Sequence, residues 1–326
     1  MRLLGSASAA HDPVPGAFVL DIQVKPGDGD TQSDIEGWFA SIAAPAVSGE
    51  VSGHCVEQHC AVTIAVPNAK LTLTGPLADP AGGAAHYGVK DDDGKETQSG
   101  AATLSALTGP VPGLGPLAAP DAIDEADLDD LLLWGQQSVS TGSPPTGALP
   151  SDTQHEALAS WQGSKDRLAT GLIFIADLDQ LRRERDAAQK AAGWTLLGDP
   201  ALGWSAGYPA ALLPIAGPAK SFSSADGKAR LVVVIDPPMT SDAFDSLVEQ
   251  LTADRPGRGN MNSVRTNGDL EMRFEEAGIV TVAEYHNREA GVGRLVLTYP
   301  ADRADTFGPF EAILQHQFKA GDDLKP

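Results

Sequence analysis

Two cysteines five residues apart constrain this chain more than any other feature. They stand in Gly53-His54-Cys55-Val56-Glu57-Gln58-His59-Cys60-Ala61, and the sequence holds no others. Polar and apolar residues alternate after this stretch, as in a half-buried strand. Cys55 and Cys60 then fall at the two ends of a tight hairpin loop, where a disulfide is geometrically feasible. Closing so short a loop contributes about 2 kcal/mol in the chain-entropy picture. Such a bond persists only in an oxidising compartment. A metal site is the alternative, with His54, Cys55, His59 and Cys60 as ligands. Zinc sites, however, space paired cysteines by about two to four residues and draw the second pair from elsewhere. Adjacent His-Cys dipeptides also point to opposite faces of a strand. Two free buried thiols are the third option. The disulfide is the expectation.

The chain's 326 residues suffice for two domains, and 42% apolar residues suffice for packed cores. No apolar run approaches the roughly 18 residues that a membrane-spanning helix needs. The net charge is −21, of which residues 194–326 carry −6 and the remainder −15. Both halves would repel a phosphate backbone, which excludes nucleic acid and anionic lipid as natural partners. The acidity reads as solubility. At the start, Met1-Arg2-Leu3-Leu4-Gly5-Ser6-Ala7-Ser8-Ala9-Ala10 carries Ala7-Ser8-Ala9, a small-x-small tripeptide as before a signal-peptidase cut. Leu3-Leu4 is short of the roughly 7–15 apolar residues of a complete signal. Residues 1–10 are therefore read as the remnant of a signal that begins upstream, the alternative being a small-residue cytoplasmic terminus. With the cysteines, this predicts a periplasmic or secreted protein.

Residues 17–24 alternate as a strand, which Pro26-Gly27-Asp28-Gly29-Asp30 breaks. Residues 34–42 carry Ile35, Trp38, Phe39 and Ile42 at helical spacing and are read as a helix. Strand candidates follow at 50–54, 61–66, 70–74, 85–90 and 101–106, separated by turn residues as in an antiparallel meander. A Gly/Pro-rich connection covers 108–120. A short helix with acids in its first turn covers 124–134, and the Gly/Ser/Thr/Pro/Gln tract 135–150 reads as a flexible loop. Residues 170–176 read as a buried strand and 177–191 as a charged helix, both assigned to a β-rich first domain spanning 11–193. In that helix Arg182-Arg183-Glu184-Arg185-Asp186 is a solvated face with i,i+4 pairs.

Residues 194–326 form the second domain. Strands are expected at 207–213, 219–223, 230–235, 270–275, 279–286 and 294–299. One helix covers 241–252, with Phe244, Leu247, Val248 and Leu251 on one stripe. Another covers about 301–318, with Phe307, Phe310, Leu314 and Phe318 in the same rhythm and a kink at Gly308-Pro309. The order β-β-β-α-β-β-β-α is an α+β layout with helices on a mainly antiparallel sheet.

Phe222-Ser223-Ser224-Ala225-Asp226-Gly227-Lys228-Ala229, Tyr285, Leu297-Thr298-Tyr299-Pro300 and the closing Gln317-Phe318-Lys319 together resemble the PsbP/Mog1-like superfamily, including its exported bacterial modules. The resemblance covers about 194–319. Gln317 stands where those modules carry Ser. It implies an α/β/α sandwich and a class of accessory and protein-binding modules rather than enzymes. It transfers no catalytic constellation.

Three motifs invite chemistry. Gly203-Trp204-Ser205-Ala206-Gly207 matches G-x-S-x-G, in which a strained strand-to-helix turn presents a nucleophilic serine. Pro209 and Pro214 fit strand and loop better than the helix that motif requires. The alternative is a Gly-flanked entry into the domain's first strand, with Trp204 and Tyr208 packing. Asp91-Asp92-Asp93-Gly94 suggests calcium, but aligning Gly94 in an EF-hand loop puts Val89 first and Gly100 twelfth, so an Asp-Gly turn explains it. Asp28 and Asp30 beside Gly29 read the same way. Glu284 and His286 share one strand face by period two, with Glu289 beyond the strand end. A carboxylate beside a histidine is how a general base is built, and also how a solvated sheet face looks. The resulting expectation is an exported, non-catalytic accessory or binding protein acting through contacts with another envelope protein, without a cofactor. A hydrolase using Ser205 or His286, and a metal protein using His54, His59, Asp91 or Asp93, are the alternatives.

Overall fold

The computed structural model describes residues 1–7, 16–26, 32–42, 47–56, 59–66, 69–91, 93–119, 124–137, 139, 151–199, 203–266 and 268–320. Asp28, Asp30, Asp92 and the loop tract 140–150 lie outside the described residues. The chain divides into two compact units, Met1–Arg183 and Glu184–Pro326. The sequence-based boundary at 193/194 lies about ten residues later, because it follows the end of a helix that the division cuts through.

The first unit opens with eight antiparallel strands that close into a barrel. They are β1 (Arg2–Ala7), β2 (Ala17–Pro26), β3 (Gln32–Ser41), β4 (Ser48–Val56), β5 (His59–Val66), β6 (Ala69–Gly75), β7 (Gly82–Lys90) and β8 (Glu96–Ala106). Closure comes from β1, which pairs with β2 on one side and β8 on the other. Leu3, Phe18, Phe39, Ile64, Leu73 and Tyr87 are among the side chains that fill the interior, as expected of so narrow a barrel. In β5 burial alternates strictly, with His59, Ala61, Thr63 and Ala65 outward and Cys60, Val62, Ile64 and Val66 inward. That alternation is what the sequence displays.

Arg2–Ala7 is the strand that completes the barrel, with Leu3 fully buried. One expectation fails in β3: residues 34–41 are strand rather than helix. The reason is that both faces of β3 are covered from Trp38 onward. Ile35 and Phe39 point into the barrel, while Trp38 and Ala40 pack outside it with Val19, Val111, Leu172 and Phe174. A strand buried on both faces loses its two-residue rhythm, and its apolar residues mimic a helical stripe. Gly37 lets β3 lie close on β2, since a Cβ there would sit 2.2 Å from the Asp21 carbonyl oxygen.

Helices α1 (Glu125–Trp134) and α2 (Asp152–Ser164) and the first half of α3 (Ile175–Ala192) complete this unit. Leu128, Leu131, Leu132, Leu158, Trp161, Leu178 and Leu181 form their shared core. Asp124 caps α1 by accepting from the Ala126 amide at 3.0 Å. The expected strand at 170–176 is instead an extended segment followed by α3. Its first residues, 170–172, are satisfied by side chains of α2, while Ile173 accepts from the Ala118 amide and Phe174 forms a lone antiparallel bridge with Leu117. Gln162 Oε1 accepts from the amides of Thr170 and Gly171, both at 2.9 Å, while its Nε2 donates to the Leu172 carbonyl at 2.9 Å. His155 Nδ1 donates to the Gly171 carbonyl at 2.7 Å, and its ring stacks on Trp38.

The second unit is α+β. A seven-stranded antiparallel sheet runs in the order β11 (Ile215–Gly217), β12 (Ser221–Ser223), β13 (Arg230–Asp236), β17 (Gly291–Pro300), β16 (Ile279–Arg288), β15 (Asp269–Glu276) and β14 (Arg258–Thr266). Helix α4 (Ser241–Thr252) covers one face, with Phe244 and Val248 against Leu270, Met272, Phe274 and Tyr285. Helix α5 (Ala304–Gln317) covers the other, with Phe307 and Leu314 against Val280, Val282, Leu297 and Tyr299. A small sheet joins β9 (Trp194–Asp199), β10 (Trp204–Pro209) and β18 (Lys319–Ala320). The sequence shows β12, β13, β15, β16, β17 and both helices. The strand expected at 207–213 is β10, which starts earlier and ends at Pro209. The sequence does not show β9, β11, β18 or β14, the last an edge strand largely exposed on both faces and so without alternation.

Candidate functional site

The Glu284–His286 pair is the candidate the structure develops furthest. Both lie on the α5 face of β16, as period two requires, and both are buried. The third partner is not Glu289, which is exposed beyond the strand, but Asp269 from β15. A two-residue turn of Ala277 and Gly278, both at positive φ, sets Glu276 opposite Ile279 and hence Asp269 opposite His286. That turn is legible between the two expected strands, so the register could have been counted from the sequence.

His286 Nδ1 lies 2.9 Å from Asp269 Oδ1, and its Nε2 lies 2.7 Å from Glu284 Oε1. The second contact is an ion pair off the hydrogen-bond axis, and Glu284 Oε2 has no hydrogen-bond partner among the described residues. Arg288 holds the same Asp269 carboxylate with two nitrogens, at 2.6 and 3.2 Å. Burial pushes the Glu284 carboxyl up to about 7, against the pull of His286. Burial opposes the charge on His286, but the two carboxylates outweigh it and raise the imidazole to about 9. Asp269 is desolvated too, yet His286 and Arg288 hold it below the ordinary carboxylate range. Both ring nitrogens of His286 are thus engaged by carboxylates. The arrangement holds a proton rather than offering a free base to a substrate.

Ser205 stands inside β10, opposite Gly198 on one side and Lys319 on the other. Its flanking glycines have structural reasons. Gly203 takes a positive φ entering the strand. At Gly207 a Cβ would meet the Trp194 ring at 2.5 Å and Gln317 Oε1 at 2.6 Å, two side chains that hydrogen-bond to each other. No helix follows, so the nucleophile elbow is absent here; β10 runs on to Pro209, with Trp204 buried and Tyr208 against Phe222.

Cys55 and Cys60 face each other across β4 and β5 and form a disulfide inside the barrel. His54 and His59 point outward on the same strands, so the four residues do not converge. Asp91 closes the β7–β8 turn, its carboxylate accepting from the Lys95 amide at 2.9 Å, with Gly94 at positive φ; exposed Asp93 lies in the same turn. Among the described residues no group of three or more His, Cys, Asp or Glu side chains converges as metal ligands would. The Phe222–Ala229 motif is likewise a turn. Ser224 Oγ donates to Asp226 at 2.6 Å and accepts from the Ala229 amide at 2.9 Å.

A second site, which sequence reading missed, is a cleft in the first unit. It has a volume of about 430 Å3 and is lined by Trp38, Glu50, Val66, Asp152 and Glu156, among others. Barrel strands β3, β4 and β5 supply one wall and α2 the other. Burial and the neighbouring carboxylates of Glu50, Glu156 and Glu36 raise the Asp152 carboxyl. The signal for α2 is present in the sequence: Ser151 and Gln154 form a capping box, each side chain bonded to the other's backbone amide. Buried Gln154, His155 and Gln162 on its inner face hide its amphipathic stripe.

No family model matches this sequence, and no curated protein matches it. A solution structure of cyanobacterial PsbP (CyanoP) from Synechocystis sp. PCC 6803 matches over 39% of this chain and 92% of that one, at 16% identity and a TM-score of 0.28. A superposition of that quality carries no functional argument. Among the described residues no helix is long and apolar enough to cross a membrane.

Proposed function

We propose that this chain is a non-catalytic binding protein that works outside the reducing cytosol, periplasmic or secreted, through contacts with another envelope protein. The cleft beside Trp38 carries this reading. Its volume of about 430 Å3 falls in the range of sites that hold ligands or anchoring side chains. Glu50, Asp152 and Glu156 around an indole suit a lysine or arginine side chain of a partner, whose charge would relieve their mutual repulsion. The second unit, read as a PsbP/Mog1-like module, belongs to the same picture of an accessory protein. The disulfide supports the address, because a reducing cytosol would keep both thiols free.

Titrating the full chain with a lysine-rich peptide, followed by tryptophan fluorescence, tests the cleft. Saturable binding is expected, weakened by salt and by about tenfold or more in a Glu50→Gln, Asp152→Asn double variant. Binding that ignores both changes, or none at millimolar peptide, overturns the reading. Alkylation of protein taken from its native cell, before any reductant, tests the address. Labelled Cys55 and Cys60 would place the chain in a reducing compartment.

A further inference from the structure

We propose that Asp269, His286 and Glu284 form a proton-dependent latch that holds the end of the described chain, Phe318–Ala320, against the sheet. Three observations place this segment over the cluster. The Phe318 ring packs on the His286 imidazole, with centroids 5.1 Å apart. Gly293, the β17 neighbour of His286, has no side chain, and a Cβ there would meet Ala320 Cβ at 2.9 Å and Phe318 Cζ at 3.1 Å. Among the described residues, strand β18 is two residues long and pairs with β10 through Trp204↔Ala320 and Ser205↔Lys319.

The charged groups around the cluster sit on three strands. Glu271 lies opposite Glu284 on β15, Arg288 follows on β16 with its Nη2 3.2 Å from His286 Nδ1, and Lys319 on β18 acts on Glu284; the neighbouring β17 positions are Gly293 and Leu295. Glu284 and Asp269 are held beside each other by the positive charge on the imidazole between them. When that proton leaves, two carboxylates confront a neutral ring under a cover of Phe318 and Ala320, which exclude water. Buried, unpaired charge is costly. The relief is to admit water by lifting β18, the shortest strand described in the unit.

Sign and window follow from linkage. His286 holds its proton to about 9 when covered, against an ordinary value near 6.5. Opening therefore releases a proton between those values, and its equilibrium constant rises by up to about tenfold per pH unit there. Hydrogen exchange on the full chain, corrected for intrinsic rates, reads this directly. Between pH 6.5 and 9 the peptide containing Phe318–Ala320, and its partner containing Trp204 and Ser205, are expected to lose protection. The β15, β16 and β17 peptides keep theirs. Glu284→Gln removes the buried charge and leaves an amide to bond the ring, so protection at Phe318–Ala320 should persist to pH 9. His286→Asn should leave the segment open, with no pH dependence. Protection that does not change with pH, or that falls equally across the whole sheet, overturns the latch. So does a Glu284→Gln variant with the wild-type pH slope.

Discussion

Two buried histidines, His155 and His286, show how environment rather than residue type decides chemistry. His155 donates to one carbonyl, stacks on Trp38 and has no charged partner, so burial lowers it to about 4 and it folds neutral. In the unfolded chain it gains a proton below about 6.5, so its contribution to stability is full above that value and falls as pH drops towards 4. His155→Gln should flatten that part of the first unit's pH profile, at some cost at neutral pH. The pair in the second unit acts in the opposite direction. Glu284 and His286 both keep protons in the folded state that the unfolded chain has released, so stability falls as pH rises from about 4.5 to about 9. Glu284→Gln should raise the melting temperature of the second unit at pH 8 by about 4 °C or more, the shift that about 1 kcal/mol produces in a domain of this size. An unchanged melting curve at pH 8 would show that Glu284 is not desolvated.

Among the elements, α2 bears most on the first unit. Its Ser151 cap begins it, its Asp152 and Glu156 line the cleft, and its Gln162 takes the place of a strand partner for residues 170–172. Gln162→Leu would orphan two buried amides and a carbonyl and leave Asp177 with a lost donor, so a loss of about 3–5 kcal/mol in urea unfolding is expected. Ser151→Ala should cost only about 1 kcal/mol, since it removes one cap. The strands divide by how they are covered. In β5 and β6 one face meets solvent, and the alternation of Val62, Ile64, Val66, Leu71 and Leu73 was legible in the sequence. In the second half of β3 both faces are buried, and the same reasoning turned that strand into a helix. On the second unit's sheet, Glu284 and His286 were placed on one face correctly, whereas Asp269 required the register across the Ala277-Gly278 turn.

For the molecule as a whole, the two units should answer pH differently. Between about pH 6.5 and 9, calorimetry should show the transition of the second unit moving down while that of the first stays nearly level. Below about 6.5 the first should fall through His155 while the second rises. The raised carboxyls of Asp21 and Asp177 oppose His155 at the lower end of that window. Two transitions that shift in parallel would refute independent titration. Replacing both Cys55 and Cys60 with alanine should lower the first transition alone, by about 2 kcal/mol from the released loop and more from the void left in the barrel interior.

The amino-acid order alone determined the disulfide hairpin, the meander that follows it, and the helices whose apolar stripe faces a single layer. It did so because local spacing reports burial wherever one face of an element meets water. Tertiary structure alone decided that Arg2–Ala7 closes a barrel, that Gln162 serves residues 170–172, and which carboxylates surround the Trp38 cleft. Those outcomes depend on contacts between residues far apart in the chain, whose distances no local period encodes.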